Sequence, residues 1–265
     1  MLRTILALSL TMTVPALAQE AIPSHCIALA DAGPERLHHA AFGDPLTEGR
    51  VRISYVGHAT FLIETPGGLV AATDYTGYLG PRDVVPDVVT MNNAHGSHWT
   101  STPDPRIPHV LKGWGDGEGP ADYNVDLGEM LVRNVTSDQR RGGAAIPNAN
   151  SIFVFEVAGL CIGHLGHLHQ IPSPEQYAMI GRLDVVLVPV DGGYTMSTEA
   201  MAEVVKRLRS SLVIPMHWFS GASLEQFLVD MDGEFAVVRP EQSSIEVALN
   251  DLPSEPTIMV LMPGG

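Results

Sequence analysis

The sequence predicts a mixed α/β protein in which two β-sheets stack face to face and helices cover them from outside. Three observations carry that reading. Apolar runs of strand length recur along most of the chain, tight hairpin turns separate neighbouring runs, and helix patterns alternate with strands only in the later part. A chain of 265 residues with 45% hydrophobic and 17% charged residues can bury a sizeable core. Its 26 glycines and 20 prolines imply frequent turns between short elements.

Residues 1–18, MLRTILALSLTMTVPALA, combine the basic Arg3, an apolar run from Ile5 to Val14 and a small-x-small end at Ala16 and Ala18. This is the pattern of a secretory signal peptide, and its apolar run falls short of the roughly 20 residues that cross a bilayer. No other stretch is long enough to span a membrane. The protein is therefore expected to be exported to the bacterial periplasm, with an irregular lead over residues 19–48 and one domain over residues 49–265. Cys26 and Cys161 both lie beyond the cleavage point. An oxidising compartment permits a disulfide between them, while the apolar surroundings of Cys161 equally suit an unpaired buried thiol.

Within the domain, Val51 to Val56, Thr60 to Glu64 and Leu69 to Thr73 read as consecutive strands, with Pro66-Gly67-Gly68 turning between the last two. Asp87 to Met91 is a further strand. The Gly- and Pro-rich stretch from Ser101 to Gly128 shows no periodicity and reads as a long functional loop, a candidate lid. MLVRNV from Met130, SIFVFEV from Ser151 and GLCIGHL from Gly159 resume the strand pattern, the latter two as antiparallel neighbours across Val157-Ala158-Gly159. Helices are predicted over Ser173 to Ile180, Ser197 to Leu208 and near Leu224 to Met231, the second opened by a Ser or Thr cap and an acidic first turn. Strands follow at Asp184 to Val190, Leu212 to Met216, Phe235 to Val238, Ile245 to Leu249 and Thr257 to Leu261.

Fifteen Lys and Arg against 30 Asp and Glu give a formal charge of −15, which argues against nucleic acid as a partner and leaves a small-molecule substrate as the expectation. The eleven histidines point at chemistry. His95 and His98 follow the strand ending at Met91, His164, His167 and His169 follow the GLCIG strand, and His217 follows LVIPM. Strand ends on one rim of an α/β sandwich are where distant segments converge, and neutral imidazoles are the commonest ligands of zinc and similar metals.

Gly57-His-Ala-Thr-Phe-Leu-Ile, Thr73-Asp74, the His-x-x-His after a strand, His164-Leu-Gly, Val188-Pro-Val-Asp-Gly-Gly-Tyr-Thr and Ile214-Pro-Met-His-Trp together resemble the metallo-β-lactamase-fold hydrolases. The resemblance is strongest to the ascorbate-phosphate-lactonase-like and phospholipase D-like branch and runs from Val51 to Phe219. It implies a four-layer αββα sandwich of two mixed β-sheets with a metal site at one rim. Position by position, His95 and His164 match ligands of the first metal site, His98 and His217 match ligands of the second, and His167 occupies the bridging position.

Two departures qualify the match. The family loop His-x-His-x-Asp-His stands here as Asn93-Ala-His95-Gly-Ser97-His98, and the family's His-Leu-Gly-Asp stands as His164-Leu-Gly-His167. Both ligand carboxylates are gone, and an imidazole bridges two cations only as imidazolate. One ion is therefore expected rather than two, zinc first, with iron, manganese and copper also compatible.

The resemblance makes Asp74 a group that orients a ligand histidine. His167 is expected as a ligand or an acid/base, and His58 as a pocket or structural residue. Asp191 offers a replacement acid near the rim, or simply a turn. Trp99, Trp114 and Trp218 are expected either to pack under the rim or to line a cleft. Arg140-Arg141 would be a solvated turn or a grip for an anion. The resulting expectation is an exported metal-dependent hydrolase acting through metal-activated water on an ester, lactone, amide or phosphoester. The lost carboxylates raise the alternative of a noncatalytic metal- or ligand-binding protein on the same fold.

Overall fold

The computed structural model describes residues 24–27, 38–39, 42–115 and 117–264. The expected signal peptide over residues 1–18 lies outside them. In chain order the elements begin with β1 (His38–His39), β2 (Arg50–Gly57), β3 (Thr60–Glu64), β4 (Val70–Ala72), β5 (Val88–Met91), β6 (His109–Lys112) and β7 (Asn124–Asp126). The long β8 (Met130–Arg141) and β9 (Ala144–Val157) follow, then β10 (Leu160–His164), α1 (Pro174–Ile180), β11 (Val185–Pro189), α2 (Thr198–Leu208) and β12 (Leu212–Met216). The chain closes with α3 (Gly221–Asp230), β13 (Ala236–Val238), β14 (Ser244–Ala248) and β15 (Thr257–Met259).

These strands form two mixed sheets, as the sequence predicts. The first has the order β1-β14-β2-β3-β4-β5-β6 and the second the order β13-β15-β12-β11-β10-β9-β8-β7. Hairpin neighbours run antiparallel, whereas β4, β5 and β6 run parallel in one sheet and β10, β11 and β12 run parallel in the other. Parallel strands release their following loops at one end, so both sheets open toward a common rim.

The strand runs look continuously apolar because both faces of the central strands are buried. Val51, Ile53, Phe61 and Ile63 of the first sheet meet Val132, Phe153, Phe155 and Ile162 of the second in the core between them. The opposite face of the second sheet, with Ile152, Val154 and Val186, packs against Met201 and Val204 of α2 and Phe227 of α3. On the outer face of the first sheet, Leu62, Val89 and Met91 are covered by Tyr75, Leu79, Ile107, Trp99 and Trp114. That layer is loop among the described residues, because prolines 81, 86, 103, 105 and 108 deny its segments a helix.

Three segments differ from the sequence reading. The stretch expected as a lid contains β6 and β7; Trp99 and Trp114 pack edge-to-face at 5.5 Å against the first sheet, and Trp114 also lines a pocket with Lys112 and Tyr123 away from the histidines. Second, β8 and β9 continue beyond the predicted strands into a hairpin arm that turns at Gly142-Gly143, both with positive φ. The arm shows no apolar run because few of its side chains near the tip are buried. Third, part of the lead is held to the domain: His38–His39 pairs with β14, and Cys26 is disulfide-bonded to Cys161 of β10 with a Cα separation of 5.7 Å. Ser24 Oγ also donates to Glu156 at 2.5 Å, and Arg182 N–H donates to the Cys26 carbonyl at 2.9 Å.

Replacing both cysteines by Ala should cost about 2–5 kcal/mol of unfolding free energy, because the bridge closes a long loop in the unfolded chain. Urea unfolding of the two proteins measures this, and coincident midpoints would contradict it.

Candidate metal centre

The rim gathers histidines from four segments. His58 lies in the turn between β2 and β3, His95 and His98 follow β5, His167 and His169 follow β10, and His217 follows β12. Two carboxylates aim the central pair. Asp74 Oδ2 lies 2.6 Å from His98 Nδ1, and Asp191 Oδ2 lies 2.8 Å from His217 Nδ1.

Burial alone would raise the Asp74 carboxyl, yet His98 beside it and the Asn92 N–H hold it below the usual carboxylate range. Asp191 is held low in the same way, burial being outweighed by His217, the Thr195 hydroxyl and the N–H groups of Gly193 and Thr195. An ionised carboxylate only accepts, so each Nδ1 carries the proton and each Nε2 presents a lone pair.

His98 Nε2 and His217 Nε2 face one another at 3.1 Å. Two lone pairs at that distance repel unless a proton or a cation lies between them. The buried His58 Nε2 has no protein partner, and one ring nitrogen from each of the three histidines lies within 4.8 Å of the others. Two nitrogens bound tetrahedrally to one zinc at about 2.0–2.1 Å would stand about 3.3 Å apart, close to the observed spacing. The donor set fits a divalent cation.

The backbone stores strain to aim these rings. His58, Asp74 and His217 have φ of 53°, 42° and 57°, a region that residues other than glycine seldom occupy. The His58 carbonyl accepts from His217 N–H at 2.7 Å and from the Tyr55 hydroxyl at 2.9 Å, and the Asp74 carbonyl accepts from the Thr60 hydroxyl at 3.1 Å.

The other predicted residues take different positions. The His167 ring stands edge-on to His98 and His217 at 4.7 and 5.2 Å, with its Nδ1 2.6 Å from His169 Nε2. His95 is exposed at the mouth, 5.9 Å ring to ring from His98, and its Nδ1 lies 2.8 Å from Ser97 Oγ. Asn93 is buried and donates to the Ala149 carbonyl at 2.8 Å, which ties it to β9.

His164 corrects the sequence reading. It is buried, but its Nε2 donates to the Ala59 carbonyl at 2.8 Å, and its Nδ1 accepts from Asn92 Nδ2 at 3.0 Å and Gly166 N–H at 3.1 Å. Both nitrogens are spent inside the fold, so His164 ties the sheets together and has no lone pair for an ion. His58 joins the centre although the sequence offered it only as a pocket or structural residue, and Asp191 takes the place near the rim that the sequence offered it as a replacement acid. The visible signals were a histidine between two strands and an Asp-Gly-Gly after a third.

Residues 52–217 match the beta-lactamase superfamily domain. The chain belongs to the metallo-β-lactamase superfamily. A member of this superfamily from Thermotoga maritima, known as a crystal structure, is 27% identical with a TM-score of 0.53 and covers 80% of this chain and 98% of its own. A UPF0173 protein from Pyrococcus furiosus is 25% identical over 196 residues, 67% of this chain and 89% of its own length. A UPF0173 metal-dependent hydrolase from Anaeromyxobacter dehalogenans is 28% identical over 206 residues, 64% of this chain and 75% of its own. This metallo-β-lactamase rim is thus built almost wholly from imidazoles, with its carboxylates one hydrogen bond behind them.

Burial, reinforced by His217 and His98, lowers His58 to about 4. Burial, reinforced by His98 and His169, lowers His167 to about 2, and burial also lowers His95, His164 and His169. These rings stay neutral when folded but protonate near the ordinary value of about 6.5 when unfolded. The unfolded chain therefore takes up more protons as the pH falls below about 6.5, and stability falls with it. Chelator-treated protein should hold its melting temperature from about pH 8 to 7 and lose it steadily from about pH 6.5 toward 4. A flat melting temperature across the lower window would contradict this assignment of neutral rings.

Proposed function

We propose that the protein is an exported metal-dependent hydrolase that holds one divalent ion, zinc first among the candidates, on His58, His98 and His217. The observation that carries the reading is the 3.1 Å approach of two carboxylate-fixed Nε2 atoms beside a buried, partnerless His58 Nε2. Membership of the superfamily and relatives named as metal-dependent hydrolases support the chemistry. The disulfide supports export to an oxidising compartment, the periplasm, after cleavage behind Ala18.

A bound divalent cation acidifies water and polarises a carbonyl or phosphoryl oxygen. Asp74 and Asp191 act as positioning residues, holding the proton on each Nδ1 and fixing the rings of His98 and His217. His167, kept neutral by burial, is too weak a base to hold a proton near pH 7; it positions water and the leaving group at the rim by hydrogen bonding, while its Nδ1 meets His169. Phe219, 62% exposed and 5.0 Å ring to ring from His217, makes with Tyr194 an apolar wall for the organic part of an ester, lactone, amide or phosphoester.

The second reading, a noncatalytic metal-binding protein, draws on Ser97 and His167 standing where the family motif carries aspartates. Metal analysis with a hydrolase panel decides between them. One ion per chain with turnover is expected, an ion without turnover of any of the four bond types selects the second reading, and absence of an ion ends both.

In variants, His98→Ala and His217→Ala should lose the ion. His58→Ala should weaken it, and His109→Ala, on β6, should retain it. Asp191→Asn should weaken metal affinity by about 10- to 100-fold, the usual cost of a lost orienting partner. Plasma mass spectrometry of dialysed variants reads these outcomes, and equal occupancy throughout would refute the ligand set.

A further inference from the structure

Beside the histidine cluster lies an open pocket of about 450 Å³, within the range of small-ligand pockets. It shares a wall with the metal centre: His169, 2.6 Å from His167, and Thr195, whose hydroxyl donates to Asp191 at 2.7 Å, both line it. Arg140 of the β8–β9 arm lines it from another side, together with Ser197 and the apolar Ile171 and Met196. No Asp or Glu does, in a chain that carries 30 of them against 15 Lys and Arg.

Several arginines of this protein are neutralised where they pack. Arg52 meets Glu64 and Glu246, Arg133 meets Glu156, and Arg239 meets Glu225. The Arg140 guanidinium has no ion pair or hydrogen bond among the described residues. Asp191 forms no ion pair with it, its Oδ1 accepting from Gly193, Tyr194 and Thr195 and its Oδ2 meeting Thr195 and His217. Burial lowers His169 against the pull of Asp191, and the nearby Arg140 lowers it further.

Resting on the hydrolase reading above, we propose that this cavity is an anion subsite and that the substrate is an ester bearing a carboxylate or phosphate tail. Arg140 grips the tail with its planar fork of donors while the scissile bond lies at the rim beside His167. Ile171 and Met196 cover the aliphatic stretch between them. The subsite gives a role to an exposed arginine that the long β8–β9 arm brings beside the histidine cluster.

The test uses metal-loaded protein and three aryl esters of equal chain length that end in a carboxylate, a phosphate or a methyl group. The wild type should favour at least one anionic ester over the methyl ester in kcat/KM by about 10- to 100-fold, the worth of one charged hydrogen bond. Arg140→Gln should erase that preference chiefly through KM, whereas Arg239→Gln, a paired surface arginine, should keep it. The better of the two anionic tails identifies the natural one. Equal turnover of all three esters, or a preference that survives in Arg140→Gln, overturns the subsite and leaves the hydrolase reading intact. If no ester turns over, titration of the same proteins with inorganic phosphate and with acetate decides the subsite alone. Binding weakened about tenfold or more in Arg140→Gln supports it, and equal binding overturns it.

Discussion

The buried carboxylate of Asp74 is the constraint on which the rim depends. It has no exposure to water, and an uncompensated charge in that position costs several kcal/mol. Its two oxygens are met by the Asn92 N–H at 2.8 Å and by His98 Nδ1 at 2.6 Å. Meeting them sets the strained turn after β4, the first residue after β5 and the direction of the His98 ring together. The carboxylate thus couples the path of the backbone to the placement of a lone pair.

Asn92 carries that constraint from one sheet to the other. Its carbonyl accepts from Ser151 N–H at 3.1 Å, and its side-chain amide donates to the Ser151 carbonyl at 2.8 Å and to His164 Nδ1 at 3.0 Å. The approach is close enough that a Cβ on Gly166 would come within 2.3 Å of the Asn92 amide nitrogen, and Gly166 also has φ of 60°. A histidine that the family motif offers as a ligand is consumed by this seam. The neighbouring imidazole whose nitrogen is left over is His58, across the rim.

The chemistry that follows has an unusual balance of charge. With the proposed ligands, three neutral donors would leave the full charge of a cation at the rim, and Asp74 and Asp191 would act on it only through the rings of His98 and His217. Such a centre would attract anions more strongly than one that binds its carboxylates directly. The β8–β9 arm brings Arg140 to the same neighbourhood, so the electrostatics of the rim oppose those of the acidic chain around it.

Much of this architecture is legible in the sequence, because strand periodicity, hairpin glycines and helix caps are local features. The central strands, the helices from Ser197 and Ser173 and the clustering of histidines behind strand ends all lie close to where the sequence puts them. Motif position marks His95, His98, His167 and His217 as rim residues, and it pairs Asp74 with a histidine. Motif position does not show which nitrogen remains free, since that depends on partners distant in the chain. Ala59 and Asn92 occupy both nitrogens of His164, whereas nothing meets His58 Nε2. Likewise, the arm over residues 136–150 has no continuous apolar run to announce it, and pairing across the hairpin makes it a strand. The sequence alone determined the layers and the pool of imidazoles. The tertiary structure decided which of them keep a lone pair, because each buried ring must first satisfy the polar groups packed against it.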